Sequence, residues 1–178
     1  MTESLPGTPS LKNSARTVQD ALDAAGVACE VREFPASTRT AAEAAAAIGC
    51  EVAQIAKSIV FRSASSDRAV MVVAMGTHRV DEKKVKALVG EKIRKADAEF
   101  VRRTIGFAIG GVPPCGHATE VMILLDQGLQ SFEVLWAAAG TPNAVFKLSP
   151  DELQTLTGAS FVDVSVDVVE KSGSRGDQ

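Results

Sequence analysis

The chain has no tyrosine, one tryptophan and seven phenylalanines in 178 residues, so aromatic rings can build little of its interior. The core has to come from Ala, Val, Ile and Leu. Cysteine is confined to Cys29, Cys50 and Cys115, an odd number with no CxxC spacing. That excludes a disulfide framework and a cysteine-based zinc site, and it suits a reducing compartment. No apolar run approaches the ~18 residues of a membrane span. The opening MTESLPGTPSLKNSA lacks the basic start and apolar stretch of a secretory signal, so the expected location is cytoplasmic. A formal charge of −3 argues against coating nucleic acid through overall charge, and DNA is not an expected partner. Only His78 and His117 are available to any catalytic triad, and GxSxG, Walker and GxGxxG patterns are absent. Serine-triad hydrolysis and the cradling of nucleotide phosphates therefore have no support.

What remains is an ordinary globular composition, 46% hydrophobic and 23% charged. The length suits one domain over 13–168, with polar Gly/Ser/Pro-rich segments 1–12 and 169–178 expected to be disordered tails. Helix signals are frequent. Asn13 or Ser14 can cap a helix stopped at Gly26, and Thr40-Ala-Ala-Glu43 is a capping box for an alanine-rich helix ending at Gly49. Asp81 can open a helix closed by Gly90, a short helix is expected over 97–105, and Ser149-Pro-Asp-Glu152 opens one closed by Gly158. Strands are expected over 27–32, 57–62, 69–75, 121–126, 131–137, 144–148 and 160–166. They follow one another too often for a strict βαβ repeat, so the expected class is α+β with a mixed sheet.

The residues that could carry chemistry gather in a few places. Ala108 to His117, AIGGVPPCGH, is dense in glycine and proline. Cys115 and His117 could form a thiolate–imidazole pair if the segment were extended, or Cys115 could simply pack. A metal site lacks a third ligand nearby. Gly110 and Gly111 let a ligand approach the backbone with no Cβ in the way, and Pro113-Pro114 stiffen the chain beyond them. Such a wall could hold a carbonyl, although the same residues also make an ordinary tight turn. Lys57 stands between Ile55-Ala56 and Ile59-Val60-Phe61. It either snorkels to solvent or aims its charge at an anionic or carbonyl-bearing ligand. Lys83, Lys84, Lys86, Lys92, Arg94, Lys95, Arg102 and Arg103 either form a solvated face or mark where a polyanion crosses an otherwise acidic protein.

Four segments occur in order: Gln54-Ile-Ala-Lys-Ser-Ile-Val-Phe61, Thr104-Ile-Gly-Phe-Ala-Ile-Gly-Gly-Val-Pro-Pro-Cys-Gly-His117, Leu135-Trp-Ala-Ala-Ala-Gly-Thr-Pro-Asn-Ala-Val-Phe146 and Leu148-Ser-Pro-Asp-Glu-Leu-Gln-Thr-Leu-Thr-Gly158. Together they resemble the YbaK/ProX family of prolyl-tRNA synthetase-associated editing domains, over roughly Ala15 to Val168. The resemblance implies a compact α/β domain around a twisted, mixed, barrel-like sheet. It implies hydrolysis, in trans, of the ester of a mischarged tRNA, with tRNA(Pro) carrying a small amino acid as the expected substrate. Lys57 matches the family's functional lysine, and Gly110 and Gly111 match the glycine loop that contacts the substrate carbonyl or ribose. Asp126 and Gly140 match further pocket-side positions, and Thr40, Pro113, Cys115 and His117 are substrate-side candidates with them. Lys83, Lys84, Lys86, Arg102 and Arg103 are the candidate tRNA contacts. No metal or organic cofactor is implied. The expected partners are the acceptor end of a mischarged tRNA and prolyl-tRNA synthetase, with the chain a monomer or homodimer.

Relatives commonly carry a bulkier apolar residue at the position of Cys115. The amino acid therefore stays open among cysteine, alanine, serine, threonine and 2-aminobutyrate. An aminoacyl ester is already activated, so a chain without a covalent nucleophile is compatible with this chemistry. Two alternatives stand beside it: a noncatalytic RNA- or synthetase-binding module of the same fold, and a thiol hydrolase using Cys115 and His117.

Overall fold

The computed structural model describes residues 13–167, and the segments expected to be tails lie outside that span. Five α-helices accompany one eight-stranded mixed sheet among the described residues. The helices start and stop where their caps dictate. In α2 (Ala41–Ile48) the Thr40 hydroxyl accepts the Glu43 N–H at 3.1 Å, and Gly49 closes the helix at φ 86°. In α5 (Pro150–Thr157) Ser149 and Glu152 bond reciprocally at 2.9 and 3.1 Å, and proline occupies the first turn. Asp81 and Asp97 cap α3 (Glu82–Val89) and α4 (Ala98–Thr104). The first helix, α1, covers Asn13–Ala24 and buries Ala15, Val18 and Leu22.

The strands are β1 (Val31–Glu33), β2 (Ile55–Ser63), β3 (Ala69–Met75), β4 (Ile93–Lys95), β5 (Met122–Asp126), β6 (Leu135–Ala138), β7 (Ala144–Leu148) and β8 (Phe161–Val162). Their order is β1-β7-β6-β2-β3-β5-β8, with β4 pairing separately with β2. The β2–β3 hairpin is antiparallel, whereas β2–β6, β3–β5 and β5–β8 are parallel, which makes the sheet mixed as expected.

Several strands differ from the sequence expectation, each for a local reason. The strand expected over 27–32 pairs only from Val31, because the Gln19 side chain takes the main chain before it. Its amide donates to the Cys29 carbonyl at 3.0 Å and accepts the Val31 N–H at 2.8 Å. The segment expected over 131–137 begins as a 3-10 turn, Gln127–Ser131, capped by Asp126, and becomes strand at Leu135. The last strand shrinks to Phe161–Val162 plus one bridge from Ser165 to Val80, because its partner β5 ends at Asp126. Strand β4 went unforeseen, since Ile93-Arg-Lys95 carries only one apolar residue to alternate with its charges.

Alternation along the hairpin sends Ala56, Val60, Met71 and Val73 to one face and Phe61, Val70, Val72 and Ala74 to the other. Helix α4 covers the first face with Phe100 and Val101, and α3 covers the second with Val85. The core is aliphatic, as the composition requires.

Candidate active site

The feature that positions the site is an interruption beside β2. The ladder from β2 to β6 stops at Ala56↔Ala137, and the ladder to β4 begins at Phe61↔Lys95. Between them the edge of β2 has no strand against it. A cavity of about 300 Å³ occupies the interruption. It is lined by β2 from Ile55 to Val60, by Thr38–Thr40 ahead of α2 and Ala41 at its start, by Lys95 at the end of β4 with Ala96 after it, and by the Gly110-Gly111 bend. Trp136, Ala137 and Ala138 of β6 close its side, with Ala44 and Val145 adding apolar surface.

Lys57 lines this cavity, and its ammonium donates to the Gly76 carbonyl at 3.4 Å, longer than an ordinary N–H···O bond. Burial pushes its pKa below the ordinary lysine value; Asp126 opposes that shift and Lys95 adds to it. The charged residues in the lining are Arg39, Lys57 and Lys95, with no carboxylate among the described residues that form it. The field inside therefore favours a ligand that carries or develops negative charge.

The Gly110-Gly111 bend is held from two sides. Gly110 has φ 105°, and a Cβ there would sit 2.7 Å from Nε of Arg39, so the arginine side chain packs directly against it. A Cβ on Gly111 would fall 2.7–2.8 Å from the main chain of Thr141. The Gly111 carbonyl accepts the Gly140 N–H at 2.8 Å, and the Gly111 N–H donates weakly to the Ala108 carbonyl at 3.4 Å. Gly140, at φ 92°, is close to Ser14 and Phe107 and serves as the anchor of the bend rather than as cavity lining.

Other candidates fall differently. Thr40 lines the cavity, while its hydroxyl oxygen caps α2. Pro113, Cys115, His117 and Asp126 do not line the cavity. Cys115 is buried in the main core, where desolvation, reinforced by Cys29, pushes its thiol up to about 12. His117 donates from Nε2 to the Pro113 carbonyl at 2.8 Å instead of meeting the thiol, and burial lowers its pKa. The thiolate–imidazole pair is thus not formed. The loop is a turn whose histidine is spent on its own backbone, and a thiol this buried is a poor nucleophile. Asp126 is fully buried. It accepts the Met75 N–H at 3.0 Å, the Gly128 N–H at 2.9 Å and Nδ1 of His78 at 2.7 Å. It anchors the end of β3, from which Gly76 meets Lys57.

The basic run is split by the sheet. Arg102 and Arg103 are exposed on α4, whose Val101 reaches the cavity, whereas Lys83, Lys84 and Lys86 sit on α3 across the hairpin. Lys84 is also engaged, donating to Asp163 at 3.0 Å, Asp167 at 2.7 Å and the Ser165 carbonyl at 2.8 Å. Sequence reasoning missed Arg39, Ser58, Lys95 and Trp136 as cavity residues. A chain reading carries no signal that β4 and β6 would leave β2 uncovered between them. Among the described residues no three of His, Cys, Asp or Glu converge as metal ligands, and no helix is long and apolar enough to cross a membrane.

Comparison with known proteins gives a consistent picture. The model of the aminoacyl-tRNA editing domain matches residues 35–156. An uncharacterised Bacillus subtilis protein, YwhH, is 36% identical over 139 residues, covering 78% of this chain and 86% of its own length. A crystal structure of a candidate trans-editing enzyme for prolyl tRNA synthetase is 48% identical with a TM-score of 0.83, covering 89% of this chain and all of that one (100%). A proline–tRNA ligase of Limosilactobacillus fermentum is 37% identical over 95 residues, 51% of this chain but 17% of the ligase.

Proposed function

We propose, from the premise that this chain belongs to the aminoacyl-tRNA editing domain family, that it is a trans-acting deacylase that hydrolyses the ester of mischarged tRNA(Pro). The observation that carries the reading is the cavity beside β2, where Lys57 and the Gly110-Gly111 bend share one lining with no carboxylate. Ester hydrolysis develops negative charge on the carbonyl oxygen, and a preorganised cationic cavity stabilises that charge. Arg39 and Lys95 suit the terminal phosphate and ribose of the tRNA, leaving Lys57 for the aminoacyl ester end. The Gly110-Gly111 wall fixes where the ester stops, and water does the attacking, so no side-chain nucleophile is required.

The choice of tRNA(Pro) rests on the similarity to a region of proline–tRNA ligases. The amino acid is a small one: cysteine, alanine, serine, threonine or 2-aminobutyrate. One methylene in an apolar pocket separates substrates by only ~1–3 kcal/mol, so a synthetase passes such errors and a second pocket is needed to remove them. Apolar selection falls to Ala44, Ile55, Trp136 and Val145 in the lining. Cys115 lies outside it and does not set its volume.

The test is a panel of tRNA(Pro) charged with proline and with each small amino acid, alongside non-proline tRNAs carrying the same residues. The expected result is release of at least one small amino acid from tRNA(Pro), with prolyl-tRNA(Pro) spared. Acceptor-stem binding with no release from any species would refute the deacylase and leave a noncatalytic tRNA-binding module.

A further inference from the structure

We propose that Ser58 is the oxyanion-binding residue of this site, donating from both its main-chain N–H and its hydroxyl to the carbonyl oxygen of the scissile ester. This rests on the deacylase reading and adds to it a residue and a role.

Three independent observations converge on Ser58. The first is the break in the sheet. Val60 turns its main-chain groups toward the β4 side, since its carbonyl accepts the Ala96 N–H at 3.1 Å. Strand alternation gives Ser58, two residues earlier, the same orientation. With the β6 ladder ended at Ala56 and the β4 ladder starting at Phe61, no strand lies opposite Ser58 on that edge. An N–H inside a long central strand is thereby left facing a cavity. The second is the side chain, because the Ser58 hydroxyl is buried and has no hydrogen-bond partner, the one such side-chain atom found among the described residues. Burying a hydroxyl unpaired is costly, and a fold tolerates it where a ligand supplies the missing partner. The third is the surroundings. Ser58 lines the same cavity as Lys57, Arg39 and Lys95, whose charges favour an anionic oxygen.

Gly111 is a weaker source of a donor. The Gly111 N–H already donates to the Ala108 carbonyl, and a Cβ on Gly111 would strike Thr141, so this glycine is required for close packing. The bend is the wall that stops the ester, and the donors stand opposite it on β2. Two donors on one residue can reach a single oxygen, and a strand flanked by the rest of the sheet holds them without reorganisation. In the reaction a water oxygen bonds to the ester carbon, and the carbonyl π pair moves onto the oxygen held by Ser58. As that pair re-forms the carbonyl, the bond to the ribose oxygen breaks. The ribose oxygen gains the proton lost by the water, leaving a free amino acid and a ribose hydroxyl.

The experiment compares wild type, Ser58→Ala and Ser58→Thr on the best mischarged tRNA from the panel, with circular dichroism to confirm the fold. Removing an oxyanion donor lowers kcat by roughly 10²-fold with KM little changed, because the bond matures only in the transition state. Threonine keeps the hydroxyl and should restore most of the rate. A tetrahedral aminophosphonate ester of adenosine should bind Ser58→Ala at least about tenfold more weakly than wild type, while the matching amide loses under about twofold. An unchanged kcat in Ser58→Ala, a change confined to KM, or equal losses for phosphonate and amide would overturn the assignment while the deacylase reading stands. No turnover by wild type on any aminoacyl-tRNA would overturn both.

Discussion

Gly111→Ala tests whether the cavity wall is held by close packing. The added Cβ would lie 2.7 Å from the Thr141 carbonyl carbon and oxygen, where ordinary contact begins at 3.4 Å, so the bend must retreat by about 0.7 Å. Thr141 is buried and the atoms it presents are main chain, so no side chain can swing aside. Overpacking of this kind costs about 1–3 kcal/mol. The retreat also pulls the Gly111 carbonyl off the Gly140 N–H, a loss of about 1 kcal/mol. The sum, about 2–4 kcal/mol, should lower Tm by roughly 5–15 °C at 2–4 °C per kcal/mol for a chain of this size. Displacing the wall by nearly an ångström should also lower kcat/KM by tens-fold, since a 1 Å misplacement can cost about 10²-fold. Gly90→Ala is the control. It has φ 83° with nothing within 4 Å of its Cβ, and it stands at the end of α3 across the sheet from α4. It should lose about 1–2 kcal/mol from backbone strain alone and keep its activity. Differential scanning calorimetry with single-turnover deacylation reads both quantities. If Gly111→Ala melts no lower than Gly90→Ala and turns over at the wild-type rate, the bend is not held against Thr141 in the way described.

Two further outcomes follow from the ionisable groups. Burial lowers the Lys57 pKa, so its ammonium is lost at a lower pH than that of a solvated lysine. Once spontaneous ester hydrolysis is subtracted, kcat/KM should fall with rising pH before the usual lysine range, and Lys57→Arg should remove that fall; a rising limb there would mean the neutral amine is the working form. With its thiol pushed up to about 12, Cys115 should resist iodoacetamide at pH 8 by mass spectrometry while deacylation continues. Rapid alkylation of Cys115 together with loss of turnover would restore the thiol mechanism.

The sequence by itself determined what depends on neighbours along the chain. Helix limits follow from Thr40, Asp81, Asp97 and Ser149 at one end and from Gly49, Gly90 and Gly158 at the other, because a cap is satisfied within a few residues. The mixed α+β class and an aliphatic core were legible for the same reason. Lys57 and Gly110-Gly111 stood out as candidates, yet nothing local relates positions 57, 95, 110 and 136. Only the tertiary structure decided that β4 and β6 meet β2 at opposite ends and leave Ser58 uncovered between them. It also decided that Cys115 and His117, two residues apart, would never pair, and that Lys83 and Arg102 would stand on different faces of one hairpin. Pairing register and sheet order are set by contacts between distant segments, so the cavity exists only once the sheet has closed around it.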